Sequence, residues 1–95
     1  MSEIKLAIVI PYYKLTYFEE TLKSLAAQTN QNFNVYIGDD KSPQSPESLL
    51  KDYQSNFNIF YKKFDENLGS KGELVHQWNR CIDLSKDEEW IIILA

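Results

Sequence analysis

Short apolar runs alternate along these 95 residues with stretches whose apolar positions recur at helical spacing. The run Leu6-Ala7-Ile8-Val9-Ile10, stopped by Pro11, predicts a strand covered on both faces, because a strand with one wet face would alternate apolar with polar residues. Phe18, Leu22, Leu25 and Ala26 then fall on one side of a helix that ends near Gln28-Thr29-Asn30. Thr16 and Glu19 have the Ser/Thr-x-x-Glu spacing that satisfies free amides at a helix start. Phe33 to Ile37 is β-branched and aromatic and closes on Gly38, a second strand. Ser45 as cap and Pro46 at the first position open a second helix carrying Leu49, Leu50, Tyr53 and Phe57. Ile59 to Phe64 reads as a third strand and Asp65-Glu66-Asn67-Leu68-Gly69 as a turn. Ser70 with Glu73 repeats the capping arrangement before a third helix buried through Leu74, Trp78, Cys81 and Ile82. Trp90 to Leu94 completes a fourth strand.

The order βαβαβαβ predicts a three-layer α/β/α, Rossmann-like domain with a mainly parallel sheet of about four strands, since crossover helices let neighbouring strands run the same way. In such sheets ligands sit beyond the carboxyl ends of the strands, near the point where strand order reverses. Three segments reach that edge: Pro11-Tyr12-Tyr13, Gly38-Asp39-Asp40-Lys41-Ser42 and Asn67-Leu68-Gly69-Ser70-Lys71-Gly72.

Composition narrows the classes. A hydrophobic content of 43% with 14% aromatics supplies a core for one domain, residues 1–95. The net charge of -4, with Lys62-Lys63 the single basic pair, argues against nucleic acid as a partner. One cysteine, Cys81, rules out an internal disulfide, and one histidine, His76, rules out a multi-histidine metal site. The longest apolar stretches fall well short of the roughly 20 residues of a membrane helix, so no membrane segment is expected. Met-Ser-Glu-Ile-Lys runs into the first strand without the apolar core of a secretory signal, which predicts a cytoplasmic protein.

Adjacent carboxylates at the end of a buried strand are costly to place and need partners, which makes Asp39 and Asp40 the leading candidates for function. Each candidate also has a plainer reading. Pro11 is suited to end a strand, and Tyr12 and Tyr13 to bury a ring with a wet hydroxyl. Asp followed by Ser and Pro is ordinary turn chemistry. Asn67-Leu68-Gly69 suits a turn with a left-handed glycine, and Lys71 a solvated charge, although open amides from Gly69 to Gly72 beside Lys71 could also meet a phosphate or a ribose. His76 and Cys81 have no recognisable local partner, and no residue is assigned a catalytic role. Gly-x-Gly-x-x-Gly after the first strand, Gly-Lys-Ser/Thr and Gly-x-Ser-x-Gly are all missing, which disfavours dinucleotide oxidoreductases, P-loop NTPases and α/β-hydrolases.

Taken in order, Ile8-Val9-Ile10-Pro11-Tyr12-Tyr13, the helix Thr21-Leu22-Lys23-Ser24-Leu25-Ala26-Ala27-Gln28-Thr29, Tyr36-Ile37-Gly38-Asp39-Asp40-Lys41-Ser42 and Glu66-Asn67-Leu68-Gly69 resemble the start of a family 2 glycosyltransferase. The resemblance implies the N-terminal, nucleotide-binding half of a GT-A fold that takes a sugar-nucleotide donor, with UDP the expected nucleotide, for transfer to a saccharide or other hydroxyl acceptor. It would place Pro11, Tyr12 and Tyr13 beside the nucleoside, with Asp39 or Asp40 accepting a hydrogen bond from the base or lying beside the ribose, and Asn67, Gly69 and Lys71 nearby. Such carboxylates must lie away from the diphosphate, because like charges about 4 Å apart cost roughly 4 kcal/mol at an effective dielectric near 20.

In the family, Mg²⁺ or Mn²⁺ on the diphosphate is held by an acidic motif after the fourth strand. By resemblance that motif begins beyond Ala95, as does the acceptor half, so metal ligands and catalytic base are expected outside this chain. The 95 residues alone are then expected not to transfer sugar, and the apolar Trp90 to Leu94 edge to favour self-association. Lys14 stands where the family often has Asn, and Trp78-Asn79 where it has Arg-Asn, with Arg80 one step late. Lys71 and Arg80 are the candidates for the displaced positive charge. Two other classes fit the same fold: a receiver-like signalling domain, which calls for an acidic pair where Pro11-Tyr12-Tyr13 stand, and a non-catalytic interaction module.

Overall fold

A computed structural model describes residues 6–13, 17–29, 32–69 and 72–94. Strand β1 (Leu6–Tyr12) is followed by helix α1 (Phe18–Ala26), β2 (Phe33–Asp39), α2 (Glu47–Lys51), β3 (Asn58–Lys63), α3 (Leu74–Ile82) and β4 (Trp90–Ile93). The four strands form one sheet in the order β3-β2-β1-β4, every pair parallel. The order reverses at β1, which has β2 on one side and β4 on the other. Register sets Tyr12 opposite Asp39 and Asp39 opposite Lys63, so the ends of β1, β2 and β3 are level.

Alternation inside the apolar runs sorts side chains between two layers. Ile8, Ile10 and Tyr12 with Phe33, Val35 and Ile37 face Phe18, Leu22 and Leu25 of α1, joined by Leu50 and Phe57. Ala7, Val9 and Tyr36 face the opposite way, onto Cys81 of α3. Helices therefore cover both faces, which is why β1 and β2 read as continuous apolar runs. α3 lies close on β2: a Cβ built on Gly38 would sit 2.2 Å from Cys81 Sγ and 3.0 Å from Phe64 Cε2. Burial pushes the Cys81 thiol up to about 12, so it stays protonated at neutral pH.

Several helix starts differ from expectation. Thr16 and Ser70, the expected side-chain caps of α1 and α3, lie outside the described residues. α1 opens from Tyr17, whose backbone is left-handed at φ 65° and whose carbonyl accepts from the Thr21 amide at 3.1 Å. At α2 the cap position is Pro46 rather than Ser45, although the Ser45 hydroxyl still accepts from the Glu47 amide at 3.3 Å. Tyr53 and Phe57 fall beyond this five-residue helix, where Asp52, Ser55 and Asn56 favour turns over helix. Their rings nevertheless stack at 6.3 Å, and Phe57 reaches the core.

The buried stripe of α3 is also rotated. Among its described side chains, which do not include the expected Leu74, Gln77 and Cys81 are buried, while Trp78 and Ile82 are half-buried. A buried glutamine is tolerable only when hydrogen-bonded, and Gln77 Nε2 donates to the Gly38 carbonyl at 3.1 Å.

At the amino end of the sheet, Glu88 ties the segment before β4 to β2. Its Oε2 accepts from Asn34 Nδ2 at 2.7 Å and from the Tyr36 hydroxyl at 2.5 Å, and its Oε1 from the Lys86 amide at 2.9 Å. Burial would raise the Glu88 pKa, but the donors outweigh it and bring it down from 4.5 to about 2. Burial and that carboxylate push the Tyr36 phenol up to about 12. β4 occupies the outer edge of the sheet, and Trp90, Ile91, Ile92 and Ile93 remain 37–69% exposed. Among the described residues, no helix is long and apolar enough to cross a membrane.

Candidate functional site

The carboxyl ends of β1 and β2 bring two of the three segments together, and Asp40 draws in the third. The Asp40 amide donates to the Tyr12 carbonyl at 2.9 Å, extending the β1–β2 ladder by one step beyond Asp39. Its side chain then turns toward the segment before α3. Oδ1 accepts from the Leu68 amide at 2.7 Å and from Arg80 Nη2 at 2.7 Å, and Oδ2 accepts from the Gly69 amide at 2.9 Å. The Asp40 carbonyl accepts from Asn67 Nδ2 at 2.8 Å. Gly69 is needed for this approach, since a Cβ there would stand 2.8 Å from Asp40 Oδ2.

Arg80 closes the arrangement from α3. Beyond Asp40, its Nη2 donates to the Glu66 carbonyl at 2.7 Å and its Nε to Gln77 Oε1 at 2.6 Å. The guanidinium lies 4.0 Å above the Phe64 ring, a cation–π contact that fixes its plane. Arg80, expected only as a candidate for a displaced charge, is thus the counter-ion of Asp40.

Asp39 is balanced differently. It is fully buried, and among the described residues its donors are uncharged: the Ser42 amide at 2.7 Å on Oδ1, with the Ser42 hydroxyl at 3.0 Å and the Tyr61 hydroxyl at 2.5 Å on Oδ2. The Ser42 hydroxyl also lies 2.9 Å from the Gln44 carbonyl, so its one proton serves either acceptor. Burial, then the Asp39 carboxylate, raise the Tyr61 pKa. Between these two aspartates and Ser42, exposed Lys41 is held left-handed at φ 54°.

The remaining expected residues divide by exposure. Pro11 is half-buried in the last turn of β1 pairing. Tyr12 is 2% exposed, with its ring edge-on to Phe18 at 4.7 Å and its hydroxyl donating to the Gln44 carbonyl at 2.6 Å. Burial and then the charge of Asp39 raise its pKa. Tyr13, next along the chain, is 38% exposed. Asn67 and Gly69 are half-buried and joined to Asp40. Lys71 lies outside the described residues.

Each aspartate already receives three donors, against about four lone-pair sites on a carboxylate. Asp40 moreover faces a cation. Most of the acceptor capacity of both carboxylates is therefore taken up by internal N–H and O–H donors. Among the described residues, no group of three or more His, Cys, Asp or Glu is placed to hold a metal ion.

Sequence reasoning named Ser42 only as the end of the segment after β2, with no role of its own, and passed over Tyr61 and Gln77. The first two had no signal beyond being polar and near a strand end. For Gln77 the signal was present: it occupies the helix position between Leu74 and Cys81 where the apolar stripe is interrupted.

None of the curated protein sequences matches the chain at a significant level. Among solved structures, the crystal structure of S. aureus TarS residues 1–349 in complex with UDP is similar in fold, with a TM-score of 0.73 at 22% identity. The match covers 95% of this chain and 26% of that one, so this chain spans about a quarter of TarS 1–349. Residues 7–94 match the family model described as glycosyl transferase family 2, and the chain belongs to that family.

Proposed function

We propose that the carboxyl edge of this sheet binds the nucleotide of a sugar-nucleotide donor, with UDP the favoured nucleotide. The observation that carries the reading is the convergence on Asp40, which joins the ends of β1 and β2 to Asn67, Leu68 and Gly69 on one edge. The proposed contacts come from Pro11, Tyr12 and Tyr13 on one side, Asn67, Gly69 and Lys71 on the other, and Asp39 and Asp40 beneath. Of these, Tyr13 offers an exposed ring face for a base. Family membership supports the donor class, and the UDP in the TarS complex supports the nucleotide.

Transfer to a hydroxyl acceptor is proposed for a longer polypeptide in which residues 1–95 form the nucleotide-binding unit. There Mg²⁺ or Mn²⁺ would be held by residues outside those described. The unit alone is proposed to bind without transferring, since Asp39 and Asp40 are both committed to internal donors and neither is free to take a proton from an acceptor. A reducing, cytoplasmic setting suits the single, buried thiol of Cys81.

Titration of the isotope-labelled chain with UDP and Mg²⁺ tests the binding. Saturable amide shifts at Tyr13, Asp40, Leu68 and Gly69 are expected. A titration to millimolar UDP with no shift at those positions would point instead to an interaction module that keeps only the fold.

The exposed β4 edge is proposed to pair with a second copy of the chain, on the strength of its four exposed apolar residues. Sedimentation velocity across a tenfold concentration range should reveal dimers, and a single monomeric species throughout would dismiss the idea.

A further inference from the structure

The nucleotide reading leaves open what holds the 66–69 segment against the edge. The segment lies between β3 and α3 and has no strand pairing. Its described side of the edge is set by hydrogen bonds from three consecutive residues. Asn67 donates to the Asp40 carbonyl, and Leu68 and Gly69 to the Asp40 carboxylate. The Leu68 and Gly69 bonds depend on where the Asp40 side chain points, and among the described residues Arg80 is the cation that aims it.

We propose that Arg80 is the positioning residue of this site, holding Asp40 and the 66–69 segment in register for the nucleotide without touching the nucleotide itself. The inference rests on the nucleotide reading above. Four features fix Arg80 from different directions. Nη2 bridges Asp40 Oδ1 and the Glu66 carbonyl, each at 2.7 Å, so one nitrogen spans the strand end and the segment. Nε is held by Gln77 at 2.6 Å, one turn back on α3, and Gln77 is itself anchored to the Gly38 carbonyl of β2. The guanidinium plane rests on Phe64 at 4.0 Å. With Nη2 and Nε both engaged and the side chain 21% exposed, the guanidinium is clamped in the wall of the edge.

A lysine keeps the charge but has neither the planar fork nor a second nitrogen for Gln77. Arg80→Lys therefore separates positioning from simple neutralisation of Asp40. A direct contact between Arg80 and a phosphate would be felt by UDP and not by uridine, whereas a misplaced 66–69 segment weakens both alike.

The test measures UDP and uridine affinity of the chain, wild type and Arg80→Lys, by amide shifts in Mg²⁺ buffer. Hydrogen exchange at Leu68 and Gly69 without ligand is followed alongside, with Arg80→Gln as a second variant. Expected is a loss of about fivefold or more for both ligands in Arg80→Lys, by a common factor, with Leu68 and Gly69 exchanging at least about tenfold faster while β1 and β2 amides stay protected. Loss for UDP alone would overturn the proposal in favour of direct phosphate contact. Unchanged affinity for both ligands, or unchanged exchange at Leu68 and Gly69, would overturn it as well. If wild-type protein binds neither ligand, the nucleotide reading itself falls and takes this inference with it.

Discussion

Asp39→Asn and Asp40→Asn are the same change at adjacent positions, yet the donors around each carboxylate make their consequences unequal. Asp40 meets only groups that cannot become acceptors: the Leu68 and Gly69 amides and the Arg80 guanidinium. An asparagine there must aim its NH₂ at one of them. The milder orientation leaves the Gly69 amide facing a donor in a side-chain site 6% exposed, an unsatisfied buried group worth about 1–3 kcal/mol. The two bonds that survive lose their charge assistance, roughly 1 kcal/mol each. The sum is about 3–5 kcal/mol, the range measured when one partner of a buried ion pair is removed. Asp39 meets one amide and two hydroxyls, and the hydroxyls of Ser42 and Tyr61 can turn to accept from an asparagine NH₂. The loss there is charge assistance alone, roughly 1 kcal/mol for each of the Ser42 amide and Tyr61 bonds, since the Ser42 hydroxyl has the Gln44 carbonyl as its alternative acceptor, or about 2 kcal/mol in all. A 95-residue domain has roughly 5–14 kcal/mol in hand at ordinary stability per residue, so both variants should fold. Urea denaturation followed by tryptophan fluorescence, with equal slopes, would give the two values. Equal losses, or a larger loss for Asp39→Asn, would refute the account of how the two charges are balanced.

Gly38→Ala sets a methyl 2.2 Å from Cys81 Sγ and should destabilise by about 2–3 kcal/mol, and Cys81→Ala should recover part of that loss in a double-mutant cycle; strict additivity would show that the helix shifts freely instead. Glu88 has its pKa lowered to about 2 in the fold, against 4.5 unfolded, so its contribution is complete above about pH 4.5 and is lost as pH falls toward 2. Glu88→Gln should accordingly flatten the stability profile across that window, and an unchanged acid profile would remove Glu88 from the account. Lys41→Gly should be as stable as wild type or more so, by up to about 1 kcal/mol, because φ 54° suits glycine; a clear loss by thermal denaturation would mean that the lysine side chain itself contributes.

β1 and β2 were legible because burial on both faces writes itself as unbroken apolar runs, while β4, exposed along its length, was legible from its β-branched composition; all three begin where the pattern places them. Helix α2 was overestimated because Tyr53 and Phe57 keep helical spacing while their backbone turns, and spacing reports only which side chains reach the core. The Asp39-Asp40 pair was legible as a place that needs partners. Its partners were not, since Arg80 is 40 residues away, and Ser42 and Tyr61 carry no periodicity. What identifies them is the parallel register that levels β2 with β3 and the close seat of α3 on Gly38, and both are properties of the assembled sheet.

That unequal balance also bears on how a nucleotide would lie. Asp40 is paired with Arg80, while the donors that reach the Asp39 carboxylate among the described residues are uncharged. An anionic group about 4 Å from Asp39 would be opposed by roughly 4 kcal/mol at an effective dielectric near 20, falling to about 2 kcal/mol at 8 Å. A nucleotide bound as proposed is therefore oriented by repulsion as much as by contact. Its uncharged base is the part that can approach β2, and its diphosphate is turned toward β1 and β4, where the strand order reverses. Asp39→Asn removes the repulsion without leaving a donor unsatisfied, so it should relax this preference: UDP affinity should rise modestly relative to uridine. An unchanged ratio would show that Asp39 exerts no such repulsion, and a fall that its charge favours the diphosphate; either refutes the orientation argued here.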